Sequence, residues 1–273
     1  MATSLAAVSG TGLAAVTLRT VGGPTAIVSM GGLNLLTDPT FDQPGDHPIG
    51  RRVLTKTVGP AIDSRDIGVI DVVLLSHDQH PDNLDDAGRE VLRAAPLVLS
   101  TKAAAERLGG NTRELPLWRS HILIRPDGGE LKVTGVPAQH GPVGTEHLTG
   151  EVRGFVLSGA GLPTVYISGD NASLSVVRDI ADHAGPIDIA LIFAGRARTS
   201  LLDAYLTFGA DQAAEAAAIL GCPVVVPLHA DGWGHLTEEL DALEPAFARR
   251  GLGDRLLLIT PGVETGITVP PTR

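Results

Sequence analysis

Short runs of aliphatic and β-branched residues alternate with glycine and proline turns over the first third of the 273-residue chain. AAVTLRT, TAIVSM and LNLLTDP, separated by GGP and GG, read as an antiparallel meander. From Asp71 the pattern changes. The apolar run DVVLLS (71–76) leads into a polar, helix-compatible stretch from Leu84 to Ala94, then PLVLS (96–100) and a helix from Thr101 to Leu108, a β-α-β-α succession. Two hairpins follow, 121–136 with DGG at its turn and 154–170. The strand-helix alternation then returns: a helix over 173–184, the strand IDIALIF (187–193), a helix over 211–220, the strand PVVVPL (223–228), a helix over 237–249 and the strand RLLLITP (255–261). Two mixed sheets packed face to face with helices outside satisfy that order, because each sheet then buries one face on the other and one under helices. The expectation is a single α/β sandwich over residues 1–273. The segment 41–57 shows little periodicity and reads as a loop long enough to serve as a lid.

Composition narrows the function. With 43% hydrophobic residues the chain can fill a sizeable core, and a formal charge of −10 argues against nucleic acid or an anionic membrane surface as partner. A small-molecule substrate is expected, with homo-oligomerisation left open. A single cysteine, Cys222, excludes an internal disulfide and a Cys-rich zinc site. The first twenty residues are fairly apolar but lack a basic leader region, and no run is long enough to span a membrane, so a cytoplasmic location without stable membrane insertion is expected.

Four apolar runs end in residues that bind metals. DVVLLS is followed by His77, Asp78, His80, Asp82 and Asn83; LKVTGVPAQ by His140; TVYISG by Asp170; and PVVVPL by His229. Taken singly, each has an ordinary structural explanation. Asp82 or Asn83 suits a helix N-cap, His140 before Gly-Pro a loop, Asp170 a turn and His229 a core position. Their shared place after strands brings them to one edge of a sandwich, and a set of imidazoles and carboxylates suits one or two divalent cations, zinc foremost and manganese as the alternative.

These residues resemble the metallo-β-lactamase superfamily, whose first motif runs HxHxDH and is followed by a lone His, a bridging Asp in an SGD phrase and a last His. LLTDPTF (35–41), GVPAQH (135–140), VYISGD (165–170) and VVPLH (225–229) are similar to the branch holding ascorbate-6-phosphate lactonase and N-acylphosphatidylethanolamine phospholipase D. The resemblance implies an αβ/βα four-layer sandwich. It also implies His77, His80 and His140 in a first metal site, Asp82 and His229 in a second, and Asp170 between them. Here SHDQHPDNLD is one residue longer than the family phrase, with Asn83 where a third histidine stands. A gap after Asp78 keeps His77 and His80 and is preferred; a gapless alignment substitutes Asp78 for His77.

The implied chemistry is a metal-dependent hydrolase that turns metal-bound hydroxide on a small ester, lactone or phosphodiester, with Asp82, Asp170 and His235 in catalytic positions. HADGWGH (229–235) places Trp233 and His235 at the pocket border, or else under the next helix, and His235 is also a substitute for the ligand lost at Asn83. Arg51 and Arg52 on the lid candidate, Arg196 and Arg198 after a strand, and His147 are candidates for substrate contact, since guanidinium grips phosphate and carboxylate bidentately. Cys222 is expected to be a small buried residue. The alternatives are a phospholipase D-like phosphodiesterase, which needs an apolar groove, and a catalytically silent metal-binding or sensor protein.

Overall fold

The computed structural model describes residues 15–269; most of the fairly apolar first twenty residues, up to Ala14, lies outside the described residues. In chain order the elements are β1 (Ala15–Gly22), β2 (Thr25–Met30), β3 (Leu33–Thr37), β4 (Gly45–Ile49), β5 (Arg52–Lys56), β6 (Val72–Leu74), α1 (Asp86–Ala94), β7 (Val98–Ser100), α2 (Lys102–Leu108) and β8 (Thr112–Glu114). They continue as β9 (Ser120–Ile124), β10 (Glu130–Ala138), α3 (Glu146–Thr149), β11 (Val152–Ser158), β12 (Val165–Ile167), α4 (Leu174–His183), β13 (Ile189–Phe193), α5 (Ala210–Leu220), β14 (Val224–Leu228), α6 (Leu243–Arg249) and β15 (Thr265–Thr268).

Seven strands form one sheet in the order β15-β1-β2-β3-β6-β7-β8, and six form the other in the order β14-β13-β12-β11-β10-β9. Both are mixed. The meander pairs antiparallel, whereas β3, β6, β7 and β8 pair parallel in the first sheet and β12, β13 and β14 in the second. Strand periodicity explains the layering. In β13, Ile189, Leu191 and Phe193 join the core between the sheets, while Ala190 and Ile192 face α4, α5 and α6. On the other flank Ile27, Leu36 and Val73 pack with Leu92 of α1. Helices therefore cover both outer faces, and the architecture is the four-layer sandwich.

Two expectations need correction. Residues 41–57 contain no free loop lid: β4 and β5 pair as a two-stranded ribbon. It is tied down where Gly234 N donates to Thr55 O (2.9 Å), Thr57 N donates to Gly232 O (2.8 Å) and the buried Lys56 ammonium meets Asp85 (3.0 Å). The apolar run RLLLITP is not a strand either. Beyond one bridge between Leu256 and Val225 it continues without pairing, and the more polar segment TGIT supplies β15 against β1 instead. Among the described residues no helix is long and apolar enough to cross a membrane.

Candidate metal centre

Because β10, β12 and β14 run in the same direction, their carboxyl ends reach one edge of the second sheet, opposite the end of β6 in the first. Each carries the polar residues that follow it to that edge. Two tight backbone passages make this possible. Gly169, at φ +55°, precedes Asp170 where a Cβ would stand 2.7 Å from Arg153 O, and a Cβ on Gly195 would stand 2.4 Å from His229 O.

Two groups of donor atoms result. His77, His80, His140 and Asp170 form the first, and Asp82, Asp170 and His229 the second, with the donor atoms inside each group all within 4.8 Å of one another. In the first, His80 Nδ1 lies 2.9 Å from His77 Nε2 and 3.3 Å from His140 Nε2, and Asp170 Oδ2 lies 3.5 Å from His140 Nε2 and 4.0 Å from His77 Nε2. In the second, His229 Nε2 is 3.2 Å from Asp82 Oδ2 and 3.7 Å from Asp170 Oδ1. Asp170 thus turns one oxygen toward each group. Ligand atoms about 2.0–2.1 Å from a tetrahedral cation stand about 3.4 Å apart, and these separations bracket that value.

The polar atoms fit a cation better than they fit one another. His140 Nδ1 donates to Leu206 O (2.9 Å) and His77 Nδ1 pairs with Ser76 Oγ (2.9 Å), so the Nε2 atoms face inward with three ring nitrogens converging. Asp82 Oδ1, Asp170 Oδ2, Asn83 Oδ1 and both ring nitrogens of His229 are buried with no aligned hydrogen bond. Orphans of this kind are costly unless an ion takes them up. Burial, followed by the neighbouring imidazoles, holds His77 well below its usual range and lowers His80 to about 4, with the Arg52 charge adding to the effect; burial outweighs the Leu206 carbonyl and lowers His140 to about 4 as well, so all three are neutral at pH 7. His229 behaves oppositely. Burial lowers it, but the Asp170 and Asp82 carboxylates outweigh that and raise it to about 9. The carboxylates that favour a proton on His229 are the ones a second cation would satisfy. The residues present therefore fit a divalent metal.

Other residues fall differently. Asn83 is fully buried beside the centre; its amide nitrogen faces Asp170 Oδ1 and Asp38 Oδ2 (3.3 Å each), so it braces those carboxylates, and its Oδ1 has no hydrogen-bond partner. The N-cap of α1 is Asp85, neither Asp82 nor Asn83. His235 Nε2 meets Asp82 Oδ2 at 3.0 Å from the pocket side, outside the second group. Asp78, the gapless alternative to His77, pairs with Arg107 instead. A shallow cleft opens over the centre, lined by His80, Asp82, His140 and His235 together with Arg52, Arg198 and several leucines.

Arg51, His147, Arg196 and Trp233 do not line that cleft. Arg51 is exposed at the tip of the ribbon, and His147 is exposed on α3 with Nδ1 donating to Gly144 O. Arg196 is held by Glu238 and stacks on Tyr205, its guanidinium carbon 4.0 Å from the ring centre. Trp233 is buried beneath the ribbon between His47 and Lys56.

Sequence reasoning missed Asp38. It follows β3 directly at φ +25°, accepts from Ser76 N at 2.6 Å, and is pushed by burial to about 7. Its place in TDP, a strand end followed by a proline turn, was the available signal.

Residues 33–230 match the family model described as a beta-lactamase superfamily domain. A metal-dependent hydrolase from Pyrococcus furiosus is 24% identical over 200 residues, 72% of this chain and 81% of that protein. One from Rubrobacter xylanophilus is 26% identical over 247 residues, covering 88% and 91%. The crystal structure of an isothiocyanate hydrolase from Delia radicum gut bacteria superposes with a TM-score of 0.77 over 92% of this chain and 99% of that one, at 20% identity.

Proposed function

We propose the following activity for a chain that belongs to the beta-lactamase superfamily and is a metal-dependent hydrolase within it: the hydrolysis of a small ester, lactone or phosphodiester. One observation supports it above the rest. Both donor groups share Asp170 and open into a single cleft lined by His80, Asp82, His140 and His235.

His77, His80 and His140 with Asp170 would hold one cation, and Asp82 and His229 with Asp170 a second; zinc suits the nitrogen-rich group and manganese the oxygen-rich one. A divalent cation there supplies Lewis acidity and lowers the pKa of a water, so no Ser or Cys nucleophile is needed. The chain's own contribution is position. Leu206 O and Ser76 Oγ fix two imidazoles, Asn83 braces Asp170, and His235 Nε2 sits 3.0 Å from Asp82 Oδ2 on the pocket side of that carboxylate. Leu54, Leu148, Leu201 and Leu206 give the cleft apolar walls that limit water around a bound ester.

The test is turnover of 4-nitrophenyl acetate, a γ-lactone and bis(4-nitrophenyl) phosphate by protein loaded with zinc or manganese, together with metal content per chain. Turnover of at least one substrate that chelator removes and metal restores is expected. Inactivity of fully metallated protein across the panel would leave the silent metal-binding reading instead.

A further inference from the structure

We infer that the substrate carries a carboxylate or phosphate group beside an apolar arm, and that Arg52 is the residue that grips the anion, with Arg198 next to it. The inference rests on the hydrolase reading of the cleft and names what the cleft selects. Both arginines line it together with Thr199, which Arg52 Nη1 contacts, and Leu54, Leu148 and Leu201 line the same cleft. A few convergent polar groups in an otherwise apolar cavity are the usual means of orienting a small ligand.

The arginines near the edge of the sandwich differ in how far they are already committed. Arg196 is bound by Glu238, and that carboxylate also accepts from Ala210 N at the start of α5 (2.7 Å), so its charge serves the fold. Arg198 pairs with Asp203, whose side chain is 99% exposed, an ion pair that solvent screens and a ligand exchanges easily. Arg52 has no carboxylate partner among the described residues. Its one side-chain hydrogen bond, Nη1 to Thr199 Oγ1 at 2.9 Å, orients the guanidinium and leaves most of its five donors available.

Arg52 starts β5, whose far end is tied through Thr55, Lys56 and Thr57 to the Trp233 segment and to Asp85, and its side chain is anchored at the cleft by Thr199. The sign of its charge matters because the chain is acidic overall, with a formal charge of −10. An anion approaches such a surface against repulsion, and an uncompensated guanidinium at the cleft wall reverses that locally. Arg also matches the planar, two-oxygen face of carboxylate and phosphate, which a lysine does not.

The experiment measures binding of hexanoate, hexyl phosphate and neutral hexanamide to zinc-loaded protein by titration calorimetry, in the wild type, Arg52→Gln, Arg52→Lys and Arg198→Gln. At least one of the two anions is expected to bind tenfold or more tighter than the amide. Which one shows whether the natural group is carboxylate or phosphate. Arg52→Gln is expected to remove most of that preference, Arg52→Lys to keep part of it, and Arg198→Gln to reduce it by a few-fold. Equal binding of all three ligands, or an anion preference that survives Arg52→Gln because the zinc alone supplies it, overturns the inference. Neither outcome depends on turnover, so failure of the hydrolase reading, seen as inactivity across the substrate panel, is separately visible.

Discussion

The two donor groups share one carboxylate and differ in nearly everything else. The first is a set of three neutral imidazoles, two of them oriented from behind by Leu206 O and Ser76 Oγ. The second is dominated by Asp82 and Asp170, and its imidazole, His229, has no partner for Nδ1 and tends to hold a proton. The first group is therefore arranged before a cation arrives. In the second, the carboxylates favour a proton on His229, with which a cation would compete, and an outer hydrogen bond to the histidine is missing among the described residues. Outer partners of metal ligands change affinity by about 10–100-fold, so the first group should bind more tightly than the second.

The strongest way to break the comparison is to remove what the groups share. Asp170→Asn replaces a charged donor whose two oxygens face different groups. Metal content should fall for both, and turnover of any substrate found in the panel should drop by about 100-fold or more. His140→Ala removes a ligand from the first group only, so one binding event should vanish while the other persists. Loss of both binding events in His140→Ala would show that the groups are not separate.

Acidity separates them by sign. His80 and His140, lowered to about 4 by burial, bind fewer protons folded than unfolded between pH 4 and about 6.5, so metal-free protein should lose stability as pH falls through that window. His229, raised to about 9, binds more protons folded than unfolded between about 6.5 and 9, so its contribution is complete below about 6.5 and is lost as pH rises through 9. The melting temperature of chelated protein should fall on both sides of neutrality. His140→Gln should flatten the acid limb and His229→Gln the alkaline one; a single limb altered by both would contradict the assignment.

Asn83→His tests the second group from within. The amide faces Asp170 and Asp38 from a fully buried position, where an imidazole adds a donor that prefers zinc. The weaker binding event should tighten by about tenfold, or about 1.4 kcal/mol, with the tighter one unchanged. Two events of equal strength in the wild type, insensitive to the substitution, would mean that Asn83 acts on neither cation.

The sequence made the layers legible because period-two apolar runs such as IDIALIF bury both faces in a sandwich, and a strand end is easily read from the change to polar residues. It made the convergence at one edge legible for the same reason. The ribbon was hidden because GDHPI and RVLTK contribute little to the cores, are partly exposed and include a proline, so they show no apolar face to detect. RLLLITP misled in the opposite way: four aliphatic residues suggest a strand, but the segment packs on the edge of β14 through a single bridge. Side-chain commitments were the least legible. No spacing rule says that Arg196 is taken by Glu238 while Arg52 is left without a carboxylate, because the partners lie 42 residues away in one case and the orienting hydroxyl 147 away in the other.

The smallest effect on either donor group should come from Cys222. Its side chain is fully buried in the cluster formed by α4, α5 and α6 against the outer face of the second sheet, and burial pushes the thiol up to about 12. A neutral thiol in that position is neither nucleophile nor ligand at pH 7. Cys222→Ser places a hydroxyl in the same apolar surroundings, which costs stability by about 1–3 kcal/mol where the hydroxyl finds no partner. The variant should therefore melt at a lower temperature while binding both cations as the wild type does, and the native thiol should stay unmodified by a thiol reagent until the protein unfolds. Loss of a metal-binding event in folded Cys222→Ser would show that the helical layer and the metal edge are coupled more tightly than two separate cores allow.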